Sequence, residues 1–208
     1  MKVLFINGSP HPKGTTCHAL NEVEKILNEQ GIETIWCNVP ADTPSCMACN
    51  YCHKERQGCI RKDAVNDCYA LLDEADGLIV GSPVYYAGPS GSLLSFLDRL
   101  FYSYPNKKKF NMMAAAAVSN SRRAGNITSN DVILKFFSIS GMNVITSTYW
   151  NDPHGFTPED LEKDEEALQT MRNLGRNMAY YLKMRQLAKE NGLKEPEIEK
   201  SHSTHFIR

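Results

Sequence analysis

Short apolar runs alternate with amphipathic stretches along this chain, and that alternation limits the fold more tightly than any other feature. Lys2–Asn7 (KVLFIN) reads as a buried strand that stops at Gly8-Ser9-Pro10. From Thr15 to about Glu29, Leu20, Val23, Ile26 and Leu27 keep helical spacing, and Gly31 ends the helix. Glu33–Val39 reads as a second strand, Asp76–Ser82 as a third, and Leu93–Phe101 as a helix. Met112–Ser119 (MMAAAAVS) is alanine-rich, which favours helix, but its place in the alternation predicts a fourth, buried strand. Ile127–Phe137 then reads as a helix closed by Gly141, and Asn143–Trp150 as a fifth strand. A long final helix is expected from Pro158 to Asn191-Gly192.

Strands of this length separated by helices predict an α/β fold whose parallel sheet is covered on both faces, making three layers. Five such strands fit the flavodoxin-like, doubly wound order 2-1-3-4-5. In that topology the ligand crevice lies where the strand order reverses, so the loops after Asn7 and after Gly81 are expected to meet in space. With 208 residues, one domain suffices: residues 1–192 form it, with a cysteine-rich loop at 40–62, and 193–208 form a tail or an oligomer arm.

Charge and hydropathy exclude some functions. A formal net charge of −1 lacks the basic face that a phosphate-neutralising nucleic-acid binder needs. The basic run Lys107-Lys108-Lys109 reads as a solvated loop. The N-terminal apolar stretch is too short for a signal peptide, and no segment approaches a membrane span. A cytoplasmic location is therefore expected. Seven cysteines in that setting read as reduced thiols or ligands, not as a disulfide framework.

The loop after the first strand, GSPHPKGTTCHAL, joins a buried strand to a helix start through glycines and hydroxyl residues. Free backbone N–H groups and the positive end of a helix dipole make such a turn an anion site, to which Ser9, Thr15 and Thr16 add donors. It lacks both the Walker ending and the GxGxxG pattern, and suits a phosphate monoester such as that of FMN. The other reading is a plain N-cap in a tight turn. At the second loop, Pro83-Val84-Tyr85-Tyr86 place backbone amides and aromatic faces at the same crevice, as a flat flavin ring requires.

The two loops, GSPHPKGTT and GSPVYYAGPSGSLLSFLDR, together resemble the NAD(P)H-dependent FMN reductase group of the flavodoxin superfamily. AVSNSRRAG, GMNVITSTYWND and the His154-Gly155 pair resemble members of that group too, so the likeness spans roughly residues 1–182. It implies an FMN-dependent oxidoreductase with NAD(P)H as co-substrate and a homodimer or homotetramer as assembly. It places Ser9, His11, Gly14, Thr15, Thr16, Ser82, Pro83, Val84, Tyr85, Tyr86, Ser119 and Arg123 at the cofactor, with no side chain as a covalent nucleophile. His11 stands where many relatives carry arginine beside the phosphate. Arg122 and Arg123 suit a reduced flavin's charge or a nucleotide phosphate, and Trp150, Asn151 and His154 are candidates to line the crevice.

The cysteine loop reads C-x2-C-x2-C-x6-C over Cys46, Cys49, Cys52 and Cys59. Zinc sites more often use two separated pairs, whereas successive two-residue gaps resemble the compact wrapping of a [4Fe–4S] cluster. Plain reduced thiols are the third reading. Iron–sulfur flavoproteins, a branch of the same family, carry a similar motif after strand 2. That resemblance implies that these four cysteines each ligate one iron, and that electrons pass to small-molecule acceptors or a ferredoxin-like protein. The alternative is a non-catalytic FMN electron carrier or redox sensor without a cluster. Cys17, Cys37 and Cys68 read as small buried residues.

Overall fold

The computed structural model describes residues 1–55, 57–199, 202 and 204. In chain order the elements are β1 (Lys2–Asn7), α1 (Thr15–Glu29), β2 (Glu33–Asn38), α2 (Tyr51–Glu55), α3 (Ala64–Glu74), β3 (Gly77–Tyr85), β4 (Gly88–Pro89), α4 (Gly91–Ser103), β5 (Ala114–Asn120), α5 (Asn126–Ile139), β6 (Asn143–Val144), α6 (Pro158–Leu161) and α7 (Glu165–Glu190). Five strands form a parallel sheet in the order β2-β1-β3-β5-β6, and the two-residue β4 folds back antiparallel on the end of β3. Counting only the parallel strands gives the predicted order 2-1-3-4-5.

Alternation along β1 sends its residues into two cores. Leu4 and Ile6 pack with Val65 and Leu72 of α3, Phe96 and Leu97 of α4, and Ile133 and Phe137 of α5. Val3 and Phe5 pack on the other face with Leu20, Val23 and Leu27 of α1 and Met171, Leu174 and Met178 of α7. The alanine run of β5 is wholly buried, Ala114 and Ala116 in one core and Ala115 and Ala117 in the other. Burial on both faces between strands overrides alanine's helical preference, because only the strand pairs with Gly77–Pro83 along its length.

Two expected elements differ. The fifth strand pairs over Asn143–Val144 only, not to Trp150. After Ile145 the chain bows off the sheet because α7 captures it: Asn177 donates to the Thr146 carbonyl and the Ser147 hydroxyl to that of Thr170. It rejoins β5 where the N–H of Ser119 meets the Asn151 carbonyl and that of Ser121 meets Pro153. The final helix is split. Thr157 and Asp160 form a capping box for the short α6, and Asp164 then starts α7 by accepting from the Ala167 N–H. The other oxygen of Asp164 accepts from the His154 N–H, so the break ties the helix pair to the segment after β6.

The cysteine loop is irregular as expected, apart from the one turn of α2. Residues 193–199 carry no regular structure. The apolar end of the expected arm, Phe206-Ile207, lies outside the described residues. Among the described residues no helix is long and apolar enough to cross a membrane.

Candidate functional site

The two loops that the topology should bring together do meet. The Gly8 N–H donates to the Gly81 carbonyl at 2.8 Å, and the Ser90 hydroxyl donates to the Gly8 carbonyl at 2.7 Å. Ser90 also accepts from the Leu93 N–H, capping α4, while its own N–H donates to Ser82 Oγ at 3.0 Å. One serine thus locks the end of β1 to the start of α4. The approach is close enough that a Cβ on Gly8 would lie 2.6–2.9 Å from Leu93 atoms.

Beyond Gly8 the chain turns tightly. The Ser9 N–H donates to Asn7 Oδ1, Ser9 Oγ accepts from the His11 N–H, and the Gly14 N–H donates to the His11 carbonyl. Helix α1 then begins without a side-chain cap and with no acidic residue in its first turn. Its first helical N–H with a protein acceptor is that of His18, so the amides of Thr15, Thr16 and Cys17 have none among the described residues. An uncapped helix start at a strand end in this crevice fits an incoming phosphate. Thr15 and Thr16 are buried and the Thr15 hydroxyl donates to the Phe156 carbonyl, while His11 and Lys13 are exposed.

Across the crevice, β3 and β4 make a hairpin whose two-residue loop is Tyr86-Ala87, both left-handed (φ 51° and 57°). Such a turn matches strand twist but favours asparagine and glycine. The tyrosine there is fully exposed, in a backbone region that residues other than glycine, asparagine and aspartate seldom adopt. Gly125, left-handed at φ +96°, packs on this hairpin: a Cβ there would lie 2.8 Å from Ala87 Cα and from Val84 Cγ1. The structure therefore brings together the first loop, Pro83–Tyr86 and the Arg122–Gly125 loop, with Arg123 exposed. Two predicted residues lie beneath this surface, paired at the ends of β3 and β5. Ser82 is fully buried, its hydroxyl donating to the Pro83 carbonyl, and Ser119 is fully buried with an unpartnered hydroxyl.

Sequence reasoning missed the buried asparagines beneath that loop, Asn120, Asn126 and Asn130, and took half-buried Asn151 only as a crevice-lining candidate. Asn126 donates to the carbonyls of Ser119 and Pro153, Asn130 to that of Asn151, Asn151 to that of Ala117, and Asn120 to that of Gly155. They reinforce the few backbone bonds and the single parallel bridge, Ser121 with His154, by which the returning segment 151–155 rejoins β5. His154 lies on an open concavity of about 620 Å³ with Arg122, Phe156, Asp160 and Lys163, beside the start of α1. Trp150 and Tyr149 are exposed nearby in sequence, stacked edge to face.

All four loop cysteines line one small pocket, together with Met47, Ile60, Arg61, Arg99 and Tyr102. Ala48 and Asn50, each between two of these cysteines, are left-handed (φ 52° and 56°), which curls the chain within a few residues. Tyr69 steadies the far lip: its hydroxyl accepts from the Cys59 N–H at 2.9 Å, and Asn66 donates to the Cys59 carbonyl at 3.0 Å. Burial, and then the neighbouring sulfurs of Cys59 and Cys46, push the Cys52 thiol above its usual range. Among the described residues, no three His, Cys, Asp or Glu side chains converge closely enough to hold a single ion. Four cysteines around one pocket are the donor set that an iron–sulfur cluster takes, one thiolate to each corner.

Behind the pocket stands Arg99 of α4, the largest fully buried side chain. It pairs bidentately with Asp63, both contacts at 2.8 Å, and donates to the Pro44 carbonyl at 3.2 Å and to Cys59 Sγ at 3.3 Å. Burial pushes the Asp63 carboxyl up, but hydrogen bonds from Arg99 and the Val65 N–H outweigh it and hold the group below its usual range. Arg99 closes the quoted SGSLLSFLDR motif, and Asp63 caps the start of α3, yet nothing local in the sequence pairs them.

A family profile described as NADPH-dependent FMN reductase matches residues 1–157. An iron–sulfur flavoprotein of Methanocaldococcus jannaschii is 36% identical over 194 residues, spanning 88% of this chain and 98% of that protein. A second iron–sulfur flavoprotein of the same organism is 32% identical over 185 residues, spanning 83% and 92%. The solved structure of a flavodoxin from the domain Archaea superposes with a TM-score of 0.57 at 17% identity, covering 88% of this chain and 99% of that one.

Proposed function

Because this chain belongs to the NADPH-dependent FMN reductase family, and is an FMN-dependent oxidoreductase of flavodoxin-like fold, we propose that it carries a [4Fe–4S] cluster on Cys46, Cys49, Cys52 and Cys59. It would pass electrons between a reductant such as NAD(P)H and small-molecule or ferredoxin-like acceptors. The observation that carries this reading is the pocket itself, which all four cysteines line and a fully buried arginine backs. The names of the two archaeal relatives support it.

Bound FMN supplies two-electron and one-electron chemistry, and a bound cluster supplies one-electron chemistry only. The chain's own residues hold and orient these groups. The free amides of Thr15, Thr16 and Cys17 would take the phosphate, with Ser9 and Gly14 shaping the turn and His11 at its exposed rim. The backbone of Val84–Tyr86 and the Tyr85 and Tyr86 rings would hold the flavin edge, and Arg123 would balance negative charge. Ser82 would act from beneath, its hydroxyl accepting from the Ser90 N–H, and Ser119 through its main-chain carbonyl, which accepts from Asn126. Exposed Tyr86, Tyr149, Trp150 and Phe156 are the side chains a second copy would cover in a homodimer or homotetramer.

The test is an absorption spectrum of protein purified without oxygen, with iron and acid-labile sulfide analysis. Flavin bands plus about four irons and four sulfides per chain are expected. Flavin bands without iron or sulfide would leave a cluster-free FMN protein and refute the metal assignment.

A further inference from the structure

Arg99 does more than a structural clamp would require. It lies on α4, is 1% exposed, and its guanidinium reaches both ends of the cysteine loop. Nη1 donates to the Pro44 carbonyl and to Asp63 Oδ2; Nη2 donates to Asp63 Oδ1, to Cys59 Sγ at 3.3 Å and to the Arg61 carbonyl at 3.5 Å. Nε is buried without a partner. The bidentate pair with Asp63 already neutralises the charge, and the two carbonyls already tether the loop. The donor spent on sulfur adds little while Cys59 is a thiol, a weak acceptor. It becomes a strong, charge-assisted bond once that sulfur carries the negative charge of a ligand thiolate.

Resting on the cluster reading above, we propose that Arg99 is the positioning and potential-setting residue of the iron–sulfur site. It holds the Cys59 sulfur against the pocket, and its N–H bond to that sulfur raises the cluster's reduction potential. The sign follows from charge. Reduction adds one electron to the cluster and its sulfurs, so a donor aimed at a ligand sulfur stabilises the reduced form more than the oxidised form. Asp63 acts in the opposite sense, because its carboxylate offsets the guanidinium beside the same sulfur.

The experiment is a potentiometric titration of the holoprotein, followed by cluster absorbance and electron paramagnetic resonance, with iron content measured for each variant. For Arg99→Met the one-electron equilibrium should move about tenfold against the reduced cluster, a fall of about 59 mV, while the FMN couple stays in place. Arg99→Lys should recover part of that fall, since it keeps the charge but loses the fork. Asp63→Asn keeps a helix cap and the Arg99 bond to sulfur, and should raise the potential with iron retained. If Arg99→Met sheds its iron but keeps FMN, the positioning role is supported and Asp63→Asn supplies the sign. Fully loaded Arg99→Met with an unmoved cluster potential would overturn the proposal alone, as would a fall in Asp63→Asn. Wild-type protein with neither iron nor sulfide would overturn the cluster reading and this inference with it.

Discussion

Gly8→Ala tests whether the crevice is built by close approach of two backbones. Gly8 does not need left-handed geometry, so alanine adds only one methyl group. That methyl would meet Leu93 Cδ2 at 2.6 Å, Cγ at 2.9 Å and Cβ at 2.8 Å. The terminal carbon can rotate away, but Cβ belongs to the first turn of α4 and moves only with the helix. Overpacking of this kind costs about 1–3 kcal/mol. Pushing α4 back also stretches the bond from Ser90 to the Gly8 carbonyl, worth about 1 kcal/mol. The expected loss is therefore about 2–4 kcal/mol, at roughly 2–4 °C of Tm per kcal/mol for a chain of this size. The assay is urea unfolding of apoprotein followed by circular dichroism, with FMN affinity by fluorescence quenching. Gly91→Ala is the control, since a Cβ there meets nothing within 4 Å. Leu93→Ala removes Cγ and Cδ2, so the two substitutions together should cost less than the sum of each alone, a coupling that a double-mutant cycle isolates. A Gly8→Ala protein within 0.5 kcal/mol of wild type (about the noise of such measurements) would refute the steric argument.

Thr16→Ala should weaken FMN binding by about 1 kcal/mol, roughly fivefold in Kd, if its hydroxyl joins the neighbouring amides at the phosphate; titration with FMN checks it, and equal affinity rejects that role. Cys49→Ser should abolish iron–sulfur absorbance while far-ultraviolet circular dichroism and the flavin bands persist; four irons in that variant would mean another ligand set. Acid sensitivity should run partly through Asp63. Its folded-state pKa is depressed, so the stability it contributes is present above the ordinary carboxylate value near 4 and is lost as pH falls below it. Asp63→Asn should therefore flatten the fall of unfolding midpoint on acidification below about pH 4, and an unchanged slope would contradict the assignment.

Much of the crevice is legible in the chain itself. The KVLFIN run, the helical spacing from Thr15 and the glycine stops define β1 and α1 locally, and parallel topology then dictates that Gly8 and Gly81 meet. The fourth strand needed the alternation as well, because alanine's intrinsic preference points the other way. The fifth was read too long. Its residues after Ile145 have strand character, but the hydrogen-bonding groups of α7 reach them before the sheet does.

What the sequence by itself determined is therefore what depends on neighbours a few residues apart: period, turn chemistry, and the compact spacing of Cys46, Cys49 and Cys52. Only the tertiary structure decided which side chains share a space. Arg99 reaches Pro44, Cys59 and Asp63 across 55, 40 and 36 residues of chain, and the asparagines beneath the Arg122 loop bridge segments 21 to 35 residues apart. No local pattern encodes such partners. A buried guanidinium or amide must find acceptors wherever the packed chain presents them, and that place is set by the whole core at once.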